Sequence, residues 1–497
     1  MGKYQKALYG LLQGAAQDMH PTYGGGLLSP SEYDTAWLLR LRDKNDPQQL
    51  RYPQALEWLL NNQHADGSWS QPYPHNIIPT LSVVCAFLSL PDKQKRQVSC
   101  ALGQGLDFLS ETLSTWRAAN HESAGLELLL PGYLAELAKH GFFYEAQDQS
   151  VIAAQKRQKL MRSARPEYLL RGMPLVHSIE ALTGVVDHDL LKSLRRPEGN
   201  VGNSVSATVS WILATGEDER ANAWLNHVTS QFGGLAPVAY PIDILELAWV
   251  LLMLHPISSQ IDRALLEPLL PRLEHALAPE GAAWCLNSAI APDGDDTSAA
   301  LTVLGLYDHP REPKQLLKFE NEEAMTSWID ERTSSVSTNA HAMEAALMNS
   351  GYEYSARIVD KTSRYLLKHR ADDGGYYDKW HLSRIYPAHC AIMAFSRHSD
   401  CAIRAEQVPA AQWLMNKQHA DGSWGDWIPS AEETALAVLA LCHAREFLDV
   451  IEPIQRGKRW LDEHYSDPRP QQNIGKQLFL PHRIVEAEVL SALLIQL

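Results

Sequence analysis

Cysteine is scarce and unordered in this sequence: six residues (Cys85, Cys100, Cys285, Cys390, Cys401 and Cys442), with no C-x-x-C pair and no His/Cys cluster at zinc-ligand spacing. The spacing excludes a disulfide framework or a zinc module and fits a reducing, cytoplasmic setting. Long apolar runs are missing as well. The strongest, residues 244–254, is short and contains Glu246, so no membrane-spanning segment is read. Lys3 and Lys6 stand near the start without a sustained apolar stretch, so no secretory signal is expected. Positive charge is in deficit: 44 Lys and Arg against 59 Asp and Glu leave −15, which argues against a nucleic-acid partner or attraction to anionic lipid.

Alternating strand-like runs are also rare. Apolar residues recur mostly at helical spacing, as in Ile242, Leu245, Trp249 and Leu252, and Gly or Pro punctuates at short intervals, which predicts an all-α protein of antiparallel helix hairpins. At 497 residues the chain exceeds the size at which one core stops growing, so two domains are expected, and 45% hydrophobic with 21% charged residues is ordinary for a globular protein. One internal repeat stands out. Residues 58–69 (WLLNNQHADGSW) and 413–424 (WLMNKQHADGSW) match without a gap at ten of twelve positions. Each copy reads as a helix ending in a polar Asp-Gly turn whose Trp packs back on the Gln amide, a structural element rather than a reactive one. Two related helical units imply two α-barrels.

The chemistry concentrates at Asp293-Gly294-Asp295-Asp296-Thr297, three carboxylates around one glycine ahead of the apolar run at 299–306. Like charges this close cannot all ionise cheaply, so at least one carboxyl is pushed towards staying protonated. A helix starting near Thr297 would stabilise the carboxylate left when that proton departs. The combination suits a strong general acid, whereas a solvated helix cap is the bland alternative. A calcium loop lacks its ligand order and closing Glu. Ionising magnesium–diphosphate chemistry would want another acid where Ala299 stands.

Other segments decide among these. Ser31-Glu32-Tyr33-Asp34-Thr35-Ala36-Trp37, the two Gln-x-x-Asp-Gly-Ser-Trp turns, Tyr240-Pro241-Ile242-Asp243, Asn287-Ser288, Ser337-Thr338-Asn339-Ala340-His341, Asp378-Lys379-Trp380-His381, Glu432-Glu433-Thr434-Ala435 and Ile474-Gly475-Lys476 accompany the acid motif in this order. Together they resemble the signature set of class II terpene cyclases, and more narrowly bacterial class II diterpene cyclases of the copalyl diphosphate synthase type.

The resemblance implies a double α-barrel of the βγ kind, with an inserted barrel at residues 28–234 and a catalytic barrel formed by residues 1–27 and 235–497, joined near Phe232-Gly233-Gly234-Leu235. It implies Asp295 as the proton donor to an alkene, Asp293 and Asp296 as the groups keeping it protonated, and Asn339 as an amide hydrogen-bonded to it. His177, in Leu175-Val176-His177-Ser178, matches the segment supplying the terminating base. Lys379, Trp380 and Lys476 are the candidates for a retained diphosphate. Magnesium is the implied cofactor, with ligands unknown because His75-Asn76 replaces the acidic pair many relatives carry. Asp34, behind Ser31, reads as a capping residue that stabilises the fold.

The reaction implied is closure of geranylgeranyl diphosphate to a bicyclic labdane-type diphosphate such as copalyl diphosphate, the ent form being the best guess. The product would pass to a class I synthase, and a homodimer and peripheral membrane contact stay open. The alternatives are a farnesyl diphosphate or non-diphosphate prenyl substrate, an α-barrel glycoside hydrolase with paired carboxylates, or a helical binding module that turns nothing over.

Overall fold

The computed structural model describes residues 2–17, 19–115, 126–144, 149–329, 331 and 333–497. Helices dominate, and the named strands are two short antiparallel ribbons, Met19–His20 with Gly24–Gly25 and Asn473–Ile474 with Leu478–Phe479. None of the described helices is long and apolar enough to cross a membrane.

Six helices, Asp243–Leu254, Gly294–Leu306, Val336–Met348, Ile385–Ser396, Ala431–His443 and His482–Leu494, pack each against the next, and the last returns to the first. They are the inner ring of a closed barrel. Their apolar character runs nearly all round, as buried helices require: every residue of Ala431–Cys442 is buried. Outer helices lean on them, among them Lys3–Gln17 on His482–Leu494, Ser355–His369 on Val336–Met348 and Ile451–Glu463 on Ala431–His443. The outer helices are amphipathic; Ser355–His369 buries only Ser355, Ile358, Thr362, Tyr365 and Leu366. A second ring closes through Glu32–Leu38, Ile77–Leu88, Leu126–Lys139, the 3₁₀ segment Pro174–Ala181 and Val205–Thr215. Its core, from Tyr33 to Tyr240 with Ile290, is separate from those of the other barrel.

The repeat has one physical purpose in both barrels. Trp69 Nε1 donates to Leu59 O and Trp424 Nε1 to Leu414 O, each at 2.7 Å, tying the turn to the helix before it. The Gln amides, Gln63 and Gln418, bond to the backbone: Gly67 O and Ala101 O for one, Gly422 O and Pro453 O for the other. Both indoles are fully buried against a glycine of the second helix downstream, Gly105 in Asp92–Thr115 and Gly457 in Ile451–Glu463, where an added Cβ would stand 2.9 and 2.8 Å from the ring.

Between the barrels the chain is laced by backbone. Ser31 N donates to Ala236 O, Tyr240 N to Asn203 O and Ala291 N to Gly172 O. Asn203 accepts from Ala289 N and donates to Ser288 Oγ, which places the Asn287-Ser288 segment against the other barrel.

Candidate active site

The acid motif opens the helix Gly294–Leu306, which starts three residues earlier than its sequence suggests because Asp293 is itself the cap. Asp293 Oδ1 accepts from Asp295 N (2.9 Å) and Asp296 N (2.7 Å). Gly294 N donates to Ser327 O, and a Cβ at 294 would meet Thr326 O at 2.3 Å, so only glycine fits between the carboxylates. The cap buries Asp293 and Asp296 at 3% and 4% exposure, while the Asp295 side chain is left 25% exposed. Burial first, and then mutual repulsion, holds the Asp293 carboxyl well above the usual range and lifts Asp296 to about 7 despite a bond from Trp249. One proton shared by this pair is the direct outcome of packing two carboxyls out of water.

Asp295 Oδ1 is bonded to His341 Nδ1 at 2.8 Å. Burial works against a charge on this imidazole, but the Asp295 carboxylate outweighs it and holds the ring well above its ordinary pKa of 6.5. The Asp295 carboxylate therefore faces a cation as well as a helix N-terminus.

Asn339 does not meet the acid. Its Oδ1 accepts from Met325 N, its Nδ2 donates to Met325 O and Ser335 O, and it is fully buried. The expectation of an Asn339–Asp295 bond is corrected to His341–Asp295. The helix begins at Val336 with Ser335 as its cap, not near Ala340. Two residues along a helix is a turn of roughly 200°, so Asn339 and His341 face opposite sides. Asn339 pins the loop carrying Ser327 and His341 takes the acid; no periodicity separates those roles.

Aromatic rings continue from this pair. Trp249 meets the His341 ring edge-on at 4.6 Å, Tyr386 stands 6.4 Å away and stacks on His381. From the other barrel, His177 meets Trp284 at 5.1 Å, and Trp284 meets Trp328 at 6.3 Å. Such faces lower the energy of a carbocation without offering a lone pair that would trap it.

His177 Nδ1 lies 2.8 Å from Gly202 O. A carbonyl can only accept, so Nδ1 carries the hydrogen and Nε2 keeps its lone pair. Burial first, then the Lys476 charge, hold this imidazole well below its ordinary value. The ring is held neutral.

Lys476 is buried and Lys379 half-buried, and neither is free. Lys379 Nζ is paired with Glu331 at 2.7 Å, bonded to Thr333 O, and lies over the Trp380 ring, whose Nε1 donates to Ser327 Oγ. Lys476 donates to Ser204 Oγ and Ser206 Oγ, both at 2.6 Å, and sits 3.1 Å from Glu180 and 3.9 Å from Asp34. Its backbone is left-handed (φ 47°), which a non-glycine residue adopts where its partners fix it. Ile474 N donates to Trp380 O, so the two segments adjoin although their ammonium groups turn to different carboxylates. Ser31 is the cap, its Oγ accepting from Asp34 N, while the Asp34 carboxylate accepts from the Ser31 hydroxyl and, across the second ring, from Ser206 N.

Among the described residues, no group of three or more His, Cys, Asp or Glu is placed to hold a metal ion. The buried carboxylates nearest the lysines are engaged: Glu331 by Lys379, Glu180 and Asp34 by Lys476. Magnesium thus has no ligand set in these residues.

Residues 314–465 match a family model described as the squalene-hopene cyclase C-terminal domain. The chain is 30% identical over 522 residues to a copalyl diphosphate synthase of Streptomyces cyslabdanicus, covering 94% of this chain and 92% of that protein. It is 29% identical over 511 residues to an ent-copalyl diphosphate synthase of Streptomyces sp. (strain KO-3988), with 98% and 96% covered. Among solved structures, ent-copalyl diphosphate synthase from Streptomyces platensis is similar over 99% of both chains, at 28% identity and a TM-score of 0.84.

Proposed function

The chain belongs to the class II diterpene cyclases of the copalyl diphosphate synthase type, and from that premise we propose that it protonates the distal alkene of geranylgeranyl diphosphate with Asp295 and closes two rings, leaving the diphosphate in place. Membership of this family selects an enzyme over a binding module, and a cyclase over a glycosidase. The observation that carries the assignment of the acid is the pairing of Asp295 with His341: of three clustered carboxyls, it is the exposed one and the one facing a cation.

The reaction then runs as follows. The Asp295 Oδ2–H bond breaks and a C–H bond forms on the terminal alkene; two internal alkenes attack in turn; the final cation loses a proton to His177 Nε2, directly or through one water. An ent-labdane product, hand-off to a class I synthase and a cytoplasmic setting belong to the same reading. Magnesium enters only as a companion of the substrate's diphosphate, and titration with EDTA tests that need.

The pairing of both lysines with carboxylates favours a second reading, in which the substrate is a farnesyl diphosphate or carries no diphosphate. One experiment separates them: incubate the enzyme with C10 to C25 prenyl diphosphates and their alcohols, and identify dephosphorylated products by mass spectrometry. A bicyclic C20 alcohol, seen only after phosphatase treatment, supports the first. Turnover of the C15 chain or the free alcohol in its place supports the second.

A further inference from the structure

A cavity of about 120 Å³, which no step of the cyclisation uses, lies where the helix Asp243–Leu254 of one barrel meets the second ring. Both barrels line it. Asp243 and Cys285 stand on one side and Glu198, Asn200 and Trp224 on the other, while the exposed turn at residues 20–22 and Leu286-Asn287 form the mouth. Trp284 divides this space from the acid site: its indole meets His177 and Trp328, whereas the next residue, Cys285, is a cavity wall. One water needs about 10–15 Å³ measured this way, so the space takes a molecule of several heavy atoms.

Three wall groups lack partners. Trp224 is fully buried, yet its Nε1 has no hydrogen-bond acceptor among the described residues. Asp243 Oδ2 and Glu198 Oε2 are buried atoms with no donor among them either. An indole N–H can only donate and a carboxylate can only accept, so the walls call for a molecule that does both.

Charge gives that molecule its sign. Arg272 stands 3.7 Å from Asp243, an ion contact longer than a hydrogen bond, and offsets this carboxylate. Burial lifts the Asp243 carboxyl to about 6, which leaves it ionised at pH 8. Arg195, three residues before Glu198, pairs instead with Asp218 at 3.3 Å. Asp243, Glu198 and Arg272 together therefore hold one negative charge in excess. At the mouth the His20 and Tyr23 rings stack at 4.7 Å, and aromatic faces favour a cation.

We propose that this cavity binds a small primary ammonium compound bearing a hydroxyl, a short amino alcohol. Its N–H groups donate to Glu198 Oε2 and Asp243 Oδ2, its hydroxyl oxygen accepts from Trp224 Nε1, and its single charge balances the excess. Other ligands fit less well. A divalent metal would need a group of His, Cys, Asp or Glu that the described residues do not assemble, and it offers the indole N–H nothing. A neutral diol leaves the Glu198 charge unbalanced, and a quaternary ammonium has no N–H to give.

Isothermal titration calorimetry on the full chain at pH 8 tests the site, with ethanolamine as the probe and ethylene glycol and choline as comparators. Ethanolamine should bind saturably, and each comparator about tenfold or more weaker, the size of losing a charge-assisted hydrogen bond. Glu198→Gln keeps the side chain's shape and removes its charge; Leu286→Trp fills the mouth and leaves both carboxylates. Each should weaken ethanolamine by a similar factor, with circular dichroism confirming that both variants fold. An absence of saturable ethanolamine binding would overturn the site and leave the cavity to water. Equal affinity for glycol or choline would overturn it too, as would an unchanged ethanolamine affinity in either variant.

Discussion

His341 Nδ1 sits 2.8 Å from Asp295 Oδ1, and this contact joins the acid motif of one inner helix to a side chain of the next. On the proposed reading, an imidazolium there stabilises the conjugate base that proton transfer leaves behind.

Asp295→Asn should retain the fold and bind substrate yet turn nothing over, because an amide has nearly the acid's shape and no proton to give. Asp293→Asn should keep measurable activity, since an Asn cap still accepts from the helix N–H groups. Comparable product formation by Asp295→Asn would falsify the assignment of the donor.

His341→Gln should lower kcat by roughly 10²-fold or more, the size expected when a charge-assisted partner of the reacting group is lost. The pH profile carries the sign. With a folded pKa raised above 6.5, the imidazolium contribution is complete below that value and disappears as pH climbs through the raised one. The parent's rate should thus hold through neutrality and fall on the alkaline side, a limb that His341→Gln lacks.

Asp296 sets a stability trend of the same sign. Its carboxyl is raised from 3.8 to about 7, so the folded state binds its proton more tightly and stability falls as pH rises between those values. Asp296→Asn should raise Tm at pH 8 by an amount worth roughly 1–3 kcal/mol, and change little at pH 4. Thermal melts at the two pH values check it; an equal shift at both would place the effect in packing.

Lys476→Met should lower stability by about 3–5 kcal/mol, because it strands Glu180 and Asp34 as unpaired charges inside the protein. Adding Glu180→Gln should recover part of the loss. Lys379→Ala, by contrast, should raise KM more than it changes kcat if its ammonium serves the substrate's head group, and steady-state kinetics on both variants read the difference.

His177→Ala should change the product. With Asp295 intact the cascade still starts, and the final cation is then trapped by water or relaxes by hydride and methyl shifts before losing a proton elsewhere. Gas chromatography of dephosphorylated products distinguishes this from a stability role, which would give less of the same compound.

Much of the protein was already determined along the chain. Helical periodicity and the rarity of strand-like alternation set the fold class, the repeated Gln-x-x-Asp-Gly-Ser-Trp turn marked two barrels, and a carboxyl cluster before an apolar run marked the candidate site, because each is a local pattern whose physics acts within a few residues. Tertiary structure decided which groups meet. Asn339 and His341 lie on the same turn of sequence, yet one braces a loop and the other bonds the acid, since only the neighbouring helix determines which face looks inward. Lys476 stands in the sequence as a diphosphate candidate, and only the fold closes Glu180 and Asp34, from the other barrel, around it. Contacts between residues hundreds of positions apart depend on ring closure and barrel docking, which no short spacing encodes.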